Sequence, residues 1–224
     1  MVFFQDPSRQ PFLRAPASVI GLIALLIGLH AARILLFPGS ESDGIFNTYG
    51  LVPARYAGHY NPGSVVERIL PFVTYLFLHG SWSHVLINSV WLLAFGPVVA
   101  RRFGPILFLL FFVLCGVAGA VTHLFAYWSS TAPVIGASAA ISGLMAASFR
   151  MLPASSDKDT TALAPILSAR ILVWTALWVA INVFAGITGF GSGAGPNMIA
   201  WGAHLGGYAA GLLLAGPFNR MAQA

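Results

Sequence analysis

The sequence predicts an all-helical membrane protein of six transmembrane helices packed as one bundle. Three observations carry that expectation. Charged residues make up 8% of the 224 residues and hydrophobic types 58%, whereas ordinary soluble domains carry roughly 25% charge. The mean hydropathy is +0.82. Six apolar stretches recur along the chain, and a helix needs about 20 such residues to cross about 30 Å of hydrocarbon. So little charge excludes a disordered chain, a coiled coil and a soluble nucleic-acid-binding domain. The net charge of +5 comes from basic residues scattered between apolar runs, which form no stripe for a nucleic acid partner. A single cysteine, Cys115, leaves no internal disulfide and no multi-cysteine metal site. No cofactor is expected.

The elements follow in chain order. The first stretch covers residues 19–37. It is too long for the apolar core of a signal peptide, no small-residue cleavage site follows it, and further spans come after. Residues 38–70 form a long first loop with Pro38, Pro53 and Pro62. It reads either as a solvated external loop or as an amphipathic element lying among the outer headgroups. The second stretch is 82–100 and the third 105–127. The fourth, 136–152, is short, and the fifth and sixth are 171–187 and 198–214. Residues 1–17 and 219–224 remain as tails around a membrane domain of 18–218.

Orientation follows from Lys and Arg, which concentrate in cytoplasmic connections. Arg9 and Arg14 lie in the N-terminal tail, and Arg101 and Arg102 between the second and third spans. Arg150, Lys158 and Arg170 lie around the fourth-to-fifth link, and Arg220 is in the C-terminal tail. Those eight of the eleven basic residues put both termini in the cytoplasm. Arg33, Arg55 and Arg68 fall on the other side. The links 128–135 and 188–197 carry no charge.

Polar groups inside hydrocarbon are costly, so each is a functional candidate. The second span holds His84 and Asn88, the fourth opens with Gly136-Ala137-Ser138, and the sixth holds Ala203-His204-Leu205-Gly206-Gly207. Ser138 lies 12 residues before Arg150, and His204 lies 12 before Gly216, where Gly216-Pro217 reads as a helix end. At 1.5 Å per residue both sit ~18 Å above the inner face. Asn88 comes out at ~20 Å, with His84 one turn higher. Three independent spans thus bring these groups to one depth in the outer half of the bilayer.

Those groups suit acyl transfer. A serine hydroxyl needs a base, and neutral imidazole is the usual one. The oxyanion of a tetrahedral intermediate needs donors, which the Asn88 amide, a His84 ring N–H and the Ser138 backbone N–H can supply. His84 and Asn88 at i, i+4 share one helix face. The six acids, Asp6, Glu41, Asp43, Glu67, Asp157 and Asp159, all lie in tails or loops. The natural arrangement is therefore a Ser–His dyad without a carboxylate. The same absence disfavours an aspartyl protease, a zinc protease built on His-Glu-x-x-His and an ion-coupled transporter. Ser89, Ser142 and Ser148 read as hydrogen-bonded to the preceding turn, and Gly202, Gly206, Gly207 and Gly211 as a close-packing face. His30, His79 and His123 read as structural or interfacial, and Cys115 as a small core residue.

These motifs, in this order on these spans, resemble the rhomboid family of intramembrane serine proteases. The resemblance runs from the first span to the sixth. It implies Ser138 as nucleophile, His204 as base, His84 and Asn88 at the oxyanion site, and Arg102 as the arginine that follows the second span. It implies transmembrane proteins as substrates, cut near the outer face, and the small size of the chain points to a bacterial inner membrane. Ala139 stands where the family usually has glycine, and the first loop lacks the family's Trp-Arg pair. The alternative is a catalytically silent relative that binds membrane clients. Water must reach a buried serine, so a polar cavity is expected above Ser138. It would be bounded by residues 129–137 and by the link 188–197, whose Gly189, Gly191, Gly193 and Gly195 suit a flexible lid.

Overall fold

A computed structural model describes residues 15–58, 63–152, 162–188 and 200–224. The glycines of the expected lid, together with Arg9, Arg14 and Lys158, lie outside the described residues. All regular structure among the described residues is helical apart from a single antiparallel bridge between Leu51 and Val134.

Helix α1, Ala17–Leu36, starts after Pro16 and carries no charge before Arg33. It buries Val19, Leu22, Leu26, His30 and Arg33. That spacing marks one helical face, and Leu25, Leu29 and Leu35 on the others are exposed. The long first loop holds the short helices α2 (Ser40–Tyr49) and α3 (Val65–Ile69), and α4 (Pro71–Thr74) follows it directly. Glu41 and Asp43 stand in the first turn of α2, where the positive end of the helix dipole favours them. Ser64 and Glu67 form a capping box on α3, and Pro71 opens α4 at a position that needs no N–H. Neither α2 nor α3 buries a residue. The loop is fastened instead at its middle, where Leu51 and Val134 exchange backbone hydrogen bonds of 3.1 and 2.8 Å.

Helix α5, Trp82–Ala126, is 45 residues long and contains the second and third stretches. It breaks at Gly104, whose φ of 76° and ψ of 170° are not helical, and Pro105 follows directly. Helix α6, Ser138–Met151, has 14 residues and so spans only ~21 Å. Residues 129–137 lead into it with no regular structure beyond the Val134 bridge. Helix α7 is Ala169–Thr188 and helix α8 Trp201–Met221. The expected stop at Gly216-Pro217 does not occur, because α8 continues through Pro217 to Met221. Tertiary contacts hold that last turn. Phe218 packs on Phe103 and Phe111 at 5.6 and 5.1 Å between ring centroids. Asn219 Oδ1 accepts from Arg102 Nε at 2.6 Å. His204 therefore lies 17 residues, not 12, before the end of its helix.

Among the described residues α1, α5 and α7 are long and apolar enough to cross a membrane. The core is a three-helix contact of α6, α8 and the second half of α5, built on small residues. A methyl placed on Gly119 would lie 2.7 Å from the Ala139 Cβ and 2.6 Å from the Ala203 carbonyl oxygen. One on Gly207 would strike the Ala139 carbonyl group, and one on Gly211 the Gly143 backbone. Close backbone approach through small residues is how helices gain dispersion contact where no hydrophobic effect drives them together. Cys115 is buried in this core against Gly143. Ser89, Ser142 and Ser148 each donate to the carbonyl four residues earlier, at 2.7, 2.8 and 2.8 Å.

Candidate active site

Ser138 is the first residue of α6, with Ala137 as N-cap. The first bond of the helix runs from Ile141 N–H to the Ala137 carbonyl, so the amides of Ser138, Ala139 and Ala140 precede the intrahelical ladder. The turn ahead of them depends on Gly136, whose φ is +117°. A side chain there would be strained, and its Cβ would sit 2.7 Å from His84 Nε2 and 3.6 Å from Asn88 Nδ2. Glycine is what lets the turn approach both side chains. Gly136 N–H donates to the Tyr75 carbonyl at 2.8 Å, and the buried Tyr75 hydroxyl donates to the Gly116 carbonyl at 2.7 Å. The turn is thus tied to the second half of α5. The methyl of Ala139 is turned toward Gly119, which has room for it.

The parallel contact of α6 with α8 brings Gly207 onto Ala139 and Gly211 onto Gly143. His204, one turn before Gly207, therefore faces the start of α6. His204 Nε2 lies 2.7 Å from Ser138 Oγ. His84 and Asn88, on successive turns of α5, reach the same turn from the other side. Asn88 is buried, and its Nδ2 lies 3.0 Å from His79 Nε2. His79 is itself buried, with its carbonyl accepting from His30 Nδ1 at 3.0 Å and from Arg33 Nη2 at 3.3 Å. The first helix thereby fixes the position of the residue that holds Asn88.

One residue at the site carries no motif. Asn182 of α7 is buried, and its Oδ1 lies 2.8 Å from His204 Nδ1. Its only signal in the sequence is an amide in the middle of an apolar stretch, which is costly in a membrane helix. Two further contacts on the same face of α7 fasten it to α8. Trp178 stacks on Tyr208 at 4.2 Å between centroids, and Thr175 Oγ1 is 2.9 Å from the Tyr208 hydroxyl. Near the end of that face a cavity of ≈ 210 Å³ opens between the two helices, lined by Val183, Gly186, Ile187 and Trp201. Its lining is apolar, unlike the polar cavity expected above Ser138. Among the described residues no cluster of His, Cys, Asp and Glu can hold a metal ion.

Comparison with known proteins bears on the family of the chain. The chain is 37% identical over 75 residues to RHOMBOID-like protein 9, chloroplastic, of Arabidopsis thaliana. That match takes in 33% of this chain and 17% of the relative's length. The model of the Rhomboid domain matches residues 66–220, which take in α4 to α7 whole and all but one residue each of α3 and α8. With well over half of its length matched to that domain, this all-helical membrane protein belongs to the rhomboid family.

Proposed function

We propose that this chain is an intramembrane serine endopeptidase that cuts transmembrane proteins near the outer face of the bilayer. The observation that carries the reading is the 2.7 Å separation of Ser138 Oγ and His204 Nε2, the geometry of a nucleophile and its base. Ser138 Oγ attacks the scissile carbonyl as His204 Nε2 takes its proton, and His204 then returns that proton to the leaving amine. Water hydrolyses the acyl-enzyme in a second pass. The oxyanion is met by the Ser138 N–H at the open start of α6, by the Asn88 amide and by a His84 ring N–H. One Asn88 N–H is engaged by His79, which sets the plane of the amide and leaves its second proton for the oxyanion. In this reading the break at Gly104 divides α5 into two spans, α6 and α8 complete a set of six, and both termini are cytoplasmic. The expected location is a bacterial inner membrane.

The test is labelling with a fluorophosphonate in detergent, which modifies only an activated serine. The wild type should be labelled and Ser138→Ala should not. An unlabelled wild type that still binds membrane clients would instead make the chain a silent relative. The oxyanion assignment has its own measurement. Asn88→Ala should lower turnover of a transmembrane reporter by ~10²–10³-fold, the usual loss for one such donor, while substrate binding is retained. Wild-type turnover in Asn88→Ala would reduce Asn88 to a packing residue.

A further inference from the structure

We infer that Asn182 is a positioning residue that fixes the tautomer of His204, making the site a three-residue relay of serine, histidine and asparagine. The inference rests on the protease reading above and goes beyond the two-residue arrangement expected from the sequence.

The argument starts from a group whose role is not adjustable. The Trp178 carbonyl, four residues before Asn182 on α7, can only accept. Asn182 lies 3.0 Å from it through Nδ2, which donates. That bond decides the orientation of the amide, since the opposite assignment would set two acceptors against each other. Asn182 Oδ1 must then be the atom directed at His204, 2.8 Å from Nδ1. A carboxamide oxygen only accepts, so His204 Nδ1 carries the proton. In a neutral imidazole the other nitrogen is then a bare lone pair. That nitrogen is Nε2, 2.7 Å from Ser138 Oγ. Each step fixes the next, from a helix carbonyl to the atom that must receive the serine proton. The opposite tautomer would present an N–H to Ser138 and leave it without a base.

Burial and context agree. Asn182 is buried in a helix whose other buried residues are Ile171, Trp178 and Gly186, so its amide is withdrawn from water. Such a group costs free energy unless both ends are paired, and here both are. The neighbouring contacts of Thr175 and Trp178 with Tyr208 hold α7 in register with α8, so Asn182 meets His204 rather than the residues beside it. The oxygen does for the imidazole what a buried carboxylate does in soluble serine proteases: it selects the tautomer and holds the ring plane. It does so without placing a charge in the membrane.

The experiment reads the tautomer directly. Protein labelled with 15N-histidine is studied at a pH where the ring is neutral, and the His204 signals are assigned by comparison with His204→Gln. The wild type should show Nδ1 protonated and Nε2 bare. In Asn182→Ala the spectrum should shift toward the other tautomer or a mixture. Its kcat should fall by about 10–100-fold, the size of losing one buried hydrogen bond, with KM within about twofold of wild type. Asn182→Asp keeps an acceptor facing Nδ1 but sets an oxygen against the Trp178 carbonyl where Nδ2 now donates, so it should restore the Nδ1-protonated tautomer while recovering only part of the lost kcat. A wild-type His204 protonated at Nε2 would overturn the proposal, whether or not any variant folds. So would an Asn182→Ala protein with unchanged tautomer and unchanged kcat. The spectrum needs no turnover, so a protein that neither cleaves nor labels at Ser138 would refute the protease reading while leaving the hydrogen-bond order to be read independently.

Discussion

His204→Ala should lower cleavage of a transmembrane reporter by about 10⁴-fold or more, and Ser138→Ala should do the same. The reason is that the two act as one unit. Without an acceptor 2.7 Å from Oγ, the hydroxyl keeps its proton and is a poor nucleophile. Without the hydroxyl, the imidazole has nothing to activate. The double variant should therefore be no slower than either single one, since effects within such a unit do not add. The measurement is initial rate in proteoliposomes for the wild type, both single variants and the double. A double variant slower than the singles by the product of their effects would mean that the two side chains contribute independently, and the dyad would have to be abandoned. Retained cleavage in Ser138→Ala would be equally damaging.

The second large effect is on the fold. Gly207→Val should destabilise the protein by about 3 kcal/mol, at the upper end of overpacking costs, and turnover should fall with it. A Cβ at this position meets the Ala139 carbonyl oxygen and carbon of α6, the carbon at 2.7 Å. Backbone cannot move aside as the end of a long side chain can, so α6 and α8 must separate. Separation at Ala139 draws the preceding residue, Ser138, away from His204. Gly28→Val on α1 is the control, because nothing lies within 4 Å of the added carbon. Thermal unfolding in detergent, followed by circular dichroism, should show a lower midpoint for Gly207→Val and little change for the control. Equal midpoints for wild type and Gly207→Val would mean that the helices are not held as closely as their backbones indicate.

Both expectations start from residues that stand out in the sequence, and the reason is physical. A Ser, a His or an Asn in an apolar stretch is conspicuous because hydrocarbon penalises it. Helix rise then gives its distance from a helix end, provided that the end is read correctly. Depth does not give azimuth, and the structure adds that Gly207 and Gly211 turn His204 toward Ser138. Asn182 was as conspicuous by composition, yet no neighbouring motif distinguished it from an amide bonded to its own helix. Its part depends on two rotamers and a carbonyl four residues away, which one-dimensional spacing does not encode. The end of α8 departs from its local signal for a related reason. Gly216-Pro217 is a local stop signal, and the packing of Phe218 and the Arg102–Asn219 bond, both made by distant parts of the chain, override it. The helices of the first loop were hidden because α2 and α3 bury nothing and so leave no periodic apolar pattern.

The corner at Gly104 has a consequence for handedness. Its φ of 76° with ψ of 170° falls in a region open almost only to glycine. It is the mirror image of the extended conformation that every L-residue adopts with ease. The chain there follows the path of a D-amino acid for one residue, between two long right-handed helices. No atom outside the adjoining backbone of its own helix lies within 4 Å of the place a Cβ would occupy, so no neighbouring element demands glycine at this point. Stereochemistry does. The two halves of α5 are joined by the one kind of residue that has no hand, and the direction in which the chain turns back toward Ser138 is set by an achiral link.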